Sequence, residues 1–193
     1  MNVAVVILAG GEGRRIGGNK PLRLLGGKRL IDRAEAHARQ WSSIVAVAVR
    51  DPVQVVPTKL ICIADAEGIE GPLAGLVAAL QFAPAAGCEG VLTIPADMPF
   101  LPADLAGRLM AEIGRADAAV ASSGGQVHPV CGLWRLSVLD RLSDYLASGQ
   151  RSLKGLVSAS SCRQVDWPNQ PSDPFFNINS ADDLVRAERS LAG

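Results

Sequence analysis

An apolar segment that ends in a glycine-rich, basic loop constrains this chain more than any other feature. Residues Val3–Leu8 are all apolar and mostly β-branched, which is typical of a strand covered on both faces of a parallel sheet. The next segment, residues 10–20, contains five glycines together with Arg14, Arg15 and Lys20. Glycine lets backbone N–H groups approach phosphate oxygens, and the cations add positive charge. We therefore expect a polyphosphate-binding loop at the carboxyl end of a buried strand.

The spacing of this loop does not fit two common nucleotide-binding motifs. A Walker A loop needs Ser or Thr directly after its lysine, and Pro21 stands there. Gly11 and Gly13 begin a dinucleotide fingerprint, but Ile16 occupies the place of its third glycine. The alternative without a ligand is a flexible glycine turn with solvated arginines.

Segments of strand length alternate with helix-period segments along most of the chain. This order predicts an α/β fold with three α/β/α layers, in which helices cover both faces of a Rossmann-like, mostly parallel sheet. No linker or repeat divides the sequence, so we expect a single domain over residues 1–193. The predicted strands are 3–8, 44–49, 59–63, 90–94, 118–121, 130–133 and 164–167. The predicted helices are 30–41, 72–82, 102–113, 137–147, 152–158 and 180–191.

Charge and hydropathy limit the partners of the chain. Nineteen Lys and Arg residues balance nineteen Asp and Glu residues, which argues against a nucleic-acid partner or a polybasic membrane anchor. No apolar run reaches the roughly 18 residues that span a bilayer, and the first residues lack the basic start of a signal peptide. We therefore expect a cytoplasmic protein without a membrane partner. The four cysteines have no metal-ligand spacing, so we expect reduced thiols.

Polar residues follow two further predicted strand ends. Asp97 comes after the fourth strand, and because Mg²⁺ takes one or two carboxylates with phosphate oxygens and waters, Asp97 is the predicted metal ligand. A simple turn role for Asp97 is the alternative. Asn177 and Asn179 are two residues apart on a predicted extended segment, so both amides should lie on one face. Capping of the last helix is the alternative for Asn179.

Five sequence blocks together resemble a known family. They read LAGGEGRRIGGNK, EGPLAG, PADMPF, HP and NIN, at residues 8–20, 70–75, 95–100, 128–129 and 177–179. In this order and rough spacing they are similar to the MobA family, the molybdenum cofactor guanylyltransferases, over nearly the whole chain. The first block alone would indicate only the wider nucleotidyltransferase superfamily.

The resemblance implies a reaction and its site. GMP would pass from GTP to the terminal phosphate of molybdopterin (or Mo-molybdopterin), giving molybdopterin guanine dinucleotide and pyrophosphate, with Mg²⁺ or alternatively Mn²⁺ bound. Molybdoenzyme-maturation proteins would be further partners. The implied nucleotide-binding residues are Leu8, Ala9, Gly10, Gly11, Lys20, Asp65, Gly71, Pro72 and Asp97. The residues implied on the molybdopterin side are His128, Arg151, Asn177 and Asn179.

Catalysis in this scheme needs no general base, because a phosphate monoester is already largely ionised at pH 7. Positioning and charge neutralisation then remain, and we assign them to Arg15, Lys20 and Asp97. Asp65 can accept hydrogen bonds from the ring N–H and amine of guanine or from a ribose hydroxyl, with a plain surface carboxylate as the alternative.

His128 and Arg151 also have plainer interpretations. His128 can be a partly buried structural residue, and Arg151 can be a solvated surface cation. For each residue, a role on the molybdopterin side and a plainer structural or surface role therefore both stay open.

Two other functions stay open at this point. One is a CTP-using molybdopterin cytidylyltransferase, or a nucleotidyltransferase for another phosphate acceptor. The GPLAG block and the LAGG start look like the GTP branch, since the CTP branch usually reads LAAG. The other is a non-catalytic nucleotide- or cofactor-binding protein, against which Asp97 and Asn179 argue.

Two departures from the family pattern concern the site. Val49 stands where many members carry Asn before an Arg-Asp pair. The loop before Lys20 is also one residue shorter than its common form, which can move this lysine by about one residue's reach.

Overall fold

A seven-stranded sheet forms the centre of the computed structural model, which describes residues 1–11 and 19–192. The strands are β1 (Val3–Leu8), β2 (Leu24–Leu25), β3 (Lys28–Arg29), β4 (Val45–Val49), β5 (Ile61–Ala64), β6 (Gly90–Pro95), β7 (Ala118–Ser123), β8 (Gln126–Arg135) and β9 (Cys162–Trp167). The sheet order is β5-β4-β1-β6-β8-β7-β9, and β2 and β3 form a separate small hairpin. Strands β5, β4, β1 and β6 pair in parallel, whereas β8 is antiparallel to both of its neighbours.

The described residues form six helices, and five of them cover this sheet. The six are α1 (Leu30–Trp41), α2 (Pro72–Ala85), α3 (Leu105–Glu112), α4 (Val138–Ala147), α5 (Leu153–Ala159) and α6 (Ala181–Ala192). Helices α1 and α3 pack on one face of the sheet and α2, α4 and α5 on the other, each with its own hydrophobic cluster. The predicted three-layer α/β/α architecture is thereby confirmed. No described helix has the length and hydropathy required to cross a membrane.

The strand that carries the glycine loop lies at the middle of the parallel half. β1 pairs with β4 on one side and with β6 on the other, and Val3 to Ile7 are all buried. This burial on both faces explains the uninterrupted apolar sequence. Pro72 begins α2 as predicted, where its missing N–H costs no helical hydrogen bond. The carboxyl end of β1 is therefore held rigidly between β4 and β6.

The fold differs from the sequence prediction around a tight hairpin. Ser123 pairs with Gln126, and the two residues between them, Gly124 and Gly125, have φ of +53° and +77°. Such a two-residue loop with positive φ at both positions suits the twist of a β-hairpin. It extends β8 over ten residues, well beyond the predicted 130–133. The Gly124-Gly125 pair is the sequence feature from which this hairpin could have been predicted.

Two helix boundaries also differ from the prediction. α3 begins at Leu105 and not at Pro102, because the Leu105 N–H already donates to the Pro102 carbonyl in a preceding turn. α2 continues past the predicted end at Phe82 and includes Pro84. By contrast, Ser180 caps α6 as predicted, since its Oγ accepts from the Asp183 N–H at 3.1 Å.

A pair of glycine substitutions tests this packing. A Cβ at Gly90 would overlap the carbonyl oxygen of Trp134 in the neighbouring strand, so Gly90→Ala should lower the free energy of unfolding by about 1–3 kcal/mol. Gly107 lies in α3 with open space around it, so Gly107→Ala should raise that energy by about 0.5–1 kcal/mol. Urea unfolding of both variants measures the difference; equal stabilities would contradict the β6–β8 register.

Candidate active site at the carboxyl edge of the sheet

Neighbouring strand ends place four predicted or charged positions in a row. Asp65 directly follows β5, and Arg50 directly follows the neighbouring strand β4. Gly10 and Asp97 each come two residues after the ends of β1 and β6, the next two strands in the sheet. Backbone pairing continues past the strand ends, since the Asp65 N–H donates to Val49 O at 2.9 Å. A cleft of about 530 Å³ opens along this row. Ligands of open α/β sheets bind at this edge.

One end of the cleft is built around Lys20. Its ammonium forms an ion pair with Asp97 and donates to the amide oxygens of Asn179 at 2.9 Å and Asn177 at 3.4 Å. The Ile178 N–H in turn donates to the Asp97 carbonyl at 3.0 Å, which fixes the two asparagines against the end of β6. The structure therefore brings together four residues that the sequence placed in three separate blocks.

The oxygens at this end suit a hard divalent cation. Asp97 Oδ1 is buried without a hydrogen-bond partner among the described residues. The amide oxygens of Asn177 and Asn179 accept from the same Lys20 ammonium that pairs with Asp97, so the three side chains present their oxygens to one place. Across residues 1–11 and 19–192 there is no cluster of three or more His, Cys, Asp or Glu side chains. A Mg²⁺ ion held here would draw its other ligands from phosphates and waters, which is how Mg²⁺ usually binds.

The other end of the cleft is formed around Asp65. A Cβ at Gly10 would overlap Asp65 Oδ2, and a Cβ at Gly75 would lie 3.4 Å from Oδ1 and 2.9 Å from Leu8 Cδ2. These two glycines therefore create the space that the carboxylate occupies. Oδ1 is buried and has no partner among the described side chains. Burial raises the pKa of Asp65 above its ordinary value, and the positive charge of Arg50 opposes this rise.

The remaining predicted nucleotide residues lie close by. Gly71 and Pro72, at the start of α2, line the cleft, and Gly71 has the positive φ of +68° that glycine tolerates. Gly11 also lines it, whereas Ala9 is buried in the hydrophobic core. Arg15 lies outside the described residues, so its catalytic role stays a prediction.

A second cleft of about 750 Å³ adjoins the first and shares Gly71, Pro72 and Val130 with it. Arg151 and Lys154 line this cleft. The Arg151 guanidinium donates to Leu146 O at 2.7 Å and Gln150 O at 2.8 Å, which holds it at the end of α4. The shared wall means that a molecule in the second cleft would meet a nucleotide in the first.

His128 lies in the interior, away from the linings of both clefts. It is 5% exposed, its Nε2 is 2.8 Å from Ser123 Oγ, and its ring stacks on Phe175 at 4.7 Å. Burial lowers the pKa of His128, and the negative charge of Asp173 opposes this shift. Asp173 also accepts from Ser123 Oγ at 2.9 Å. The structure therefore places His128 under the segment that carries the asparagines, and Pro129 lines the second cleft in its place.

Arg50 and Lys154 are the basic cleft residues that the sequence analysis did not single out. Arg50 directly follows a buried strand, and Asp97 comes two residues after one. The place of Arg50 at a strand end is the sequence feature from which a role in the cleft could have been predicted. Lys154 lies in a short helix and had no comparable signal. Val49, which stands in place of the family's Asn, is fully buried in the core and presents no polar group to the cleft.

Comparison with known proteins identifies the family of this chain. Residues 5–165 match the family model described as the MobA-like NTP transferase domain. A molybdenum cofactor guanylyltransferase of Cereibacter sphaeroides is 39% identical over 193 residues, which covers 99% of this chain and 98% of that protein. One from Nitrobacter hamburgensis is 40% identical over 197 residues, which covers 97% and 93% respectively.

A solved structure supports the same conclusion. The molybdopterin-guanine dinucleotide biosynthesis protein A from Archaeoglobus fulgidus superposes with a TM-score of 0.79 at 26% identity, covering 98% of this chain and 99% of that one. The resemblance found in the sequence blocks is thereby confirmed: this chain belongs to the MobA-like NTP transferase family.

Proposed function

We propose that this protein transfers GMP from GTP to the terminal phosphate of molybdopterin, giving molybdopterin guanine dinucleotide and pyrophosphate. The observation that carries the proposal is the shape of the main cleft, with the half-buried Asp65 carboxylate at one end and the Lys20–Asp97–asparagine group at the other. The names of the relatives at 39% and 40% identity, which are molybdenum cofactor guanylyltransferases, support the choice of nucleotide and acceptor.

The chain's own residues would act mainly by positioning the phosphates. Gly10 and Gly11 offer a surface without side chains on which the phosphates can lie, and Lys20 supplies a positive charge beside it. When bound at Asp97, a Mg²⁺ ion would neutralise charge on the phosphate oxygens. The acceptor phosphate needs no base because its second pKa is about 6. Alignment and charge neutralisation therefore account for the rate enhancement.

Lys20 would have a different partner in the complex. In the structure its ammonium neutralises Asp97 and donates to the amide oxygens of both asparagines. A triphosphate and its cation would compete for these contacts, and Lys20 could then turn to the phosphate oxygens a short distance away. The second cleft, with Arg151 and Lys154 on its wall, is where we place the anionic acceptor.

The test of this function uses four nucleotides. The purified protein is incubated with molybdopterin, Mg²⁺ and α-labelled GTP, CTP, ATP or UTP, and label in the pterin product and released pyrophosphate are both measured. We expect both signals with GTP. Transfer from CTP in preference to GTP would assign the protein to cytidylyl transfer, and pyrophosphate release from no nucleotide would contradict a catalytic role.

Asp97→Asn tests the metal role. The substitution keeps the shape of the side chain but removes the charge that a divalent cation needs, so Mg²⁺-dependent pyrophosphate release should fall by at least about 10²-fold. Asp144→Asn, on the exposed face of α4, is the matched control and should turn over normally. Near-normal activity in Asp97→Asn would remove Asp97 from the metal site.

Lys20→Met tests the phosphate contact. Methionine keeps most of the length and loses the charge, so kcat/KM for GTP should fall by about 10²-fold or more. Lys59→Met is the control, because Lys59 is exposed before β5 at the opposite edge of the sheet. An unchanged rate in Lys20→Met would show that the shortened loop directs this lysine elsewhere.

A further inference from the structure

Arg50 is a cation of the main cleft, and the strand that leads to it is adjacent to the strand that leads to Asp65. It follows β4 directly, and β4 stands between β5, which leads to Asp65, and β1, which leads to Gly10. Arg50 and Asp65 both line the main cleft. The side chain of Gln54 accepts from the Arg50 N–H at 3.0 Å and from the Asp51 N–H at 3.1 Å, so the backbone at this position is fixed. A guanidinium and a half-buried carboxylate therefore share one end of the cleft.

The spacing of the strands assigns this end to the base. Adjacent strands lie about 4.8 Å apart, so the ends of β5 and β6 are separated by roughly 14 Å. That span suits a nucleotide whose phosphates lie near Asp97 and whose base lies near Asp65. Arg50 is one strand from Asp65 and two strands from β6. It is therefore on the base side of the cleft and distant from the metal site.

A carboxylate and a guanidinium side by side match guanine better than the other bases. Guanine presents two adjacent donors, N1–H and the N2 amine, which one carboxylate can accept together. On its other side it presents two acceptors, O6 and N7, and the guanidinium fork donates to this pair. Adenine and cytosine would place a ring nitrogen acceptor against the carboxylate, which repels it.

We propose that Arg50 is a specificity-determining residue that donates to O6 and N7 of the guanine base, while Asp65 accepts from N1–H and the N2 amine. The proposal rests on the proposed function for its nucleotide and adds the residue that selects it. The positive charge of Arg50 also opposes the rise in the pKa of Asp65. Arg50 thus helps to keep its neighbour in the ionised form that accepts these bonds.

The experiment measures nucleotide binding and not turnover. Kd values for GTP, 7-deaza-GTP, ITP and CTP are determined by calorimetry with Mg²⁺ and without acceptor, for the wild type and for Arg50→Met and Arg50→Lys. 7-deaza-GTP lacks only the N7 acceptor, and ITP lacks only the N2 amine. Arg163→Met on β9, at the far edge of the sheet, is the matched control.

The expected pattern has two independent parts. The wild type should bind 7-deaza-GTP, ITP and CTP each about tenfold or more weakly than GTP. Arg50→Met should lose about tenfold for GTP and should no longer distinguish GTP from 7-deaza-GTP, while its penalty against ITP persists because Asp65 is intact. Arg50→Lys should recover only part of the loss, since an ammonium cannot make the paired contact. Arg163→Met should match the wild type.

Two results would overturn the assignment. Equal weakening of all four nucleotides in Arg50→Met would show that Arg50 holds ribose or phosphate and not the base. Unchanged preference for GTP over 7-deaza-GTP in that variant would remove Arg50 from base selection. Failure of the proposed function looks different, because the protein would then bind GTP with this selectivity and still transfer no GMP to molybdopterin.

Discussion

The parallel pairing of β5, β4, β1 and β6 is the constraint on which the site depends. Parallel strands deliver all of their carboxyl ends to one edge of the sheet, so residues far apart in sequence meet there. The strands that lead to Asp65 and Asp97 are three spacings apart, about 14 Å, and the Asp65 carboxylate reaches across to Gly10 at the end of β1. A buried sheet core, with β1 covered on both faces, keeps that separation rigid.

A second set of contacts adds the carboxyl-terminal third of the chain to this edge. The segment that carries Asn177 and Asn179 is held from below by Phe175, which stacks on His128 and meets Trp167 edge-on at 5.5 Å. Asp173 accepts from both Ser123 Oγ and the Phe175 N–H at 2.9 Å. The buried network thus positions the amides that contact Lys20, although none of its members lines the cleft.

The sequence was most informative where local geometry decides the outcome. The burial of β1, the start of α2 at Pro72 and the cap at Ser180 all follow from short-range chemistry, and the structure has each of them. The shared contact of Asn177 and Asn179 with Lys20 agrees with the period of two. The burial of His128 was only one of two interpretations from the sequence, because it depends on the β7–β8 register and on its irregularity between Val120 and Ala121. Arg50 was overlooked because a single exposed cation after a strand looks like any solvated arginine.

The central claim is that one edge of the sheet holds the base at Asp65 and the phosphates near Asp97. A crystal structure of the protein with GTP and Mn²⁺ tests it most directly, since the anomalous signal of manganese locates the cation. The account predicts manganese on the Asp97 carboxylate and the guanine N1–H and N2 amine on the Asp65 carboxylate. Manganese bound away from Asp97, or guanine lying in the second cleft beside Arg151, would contradict it.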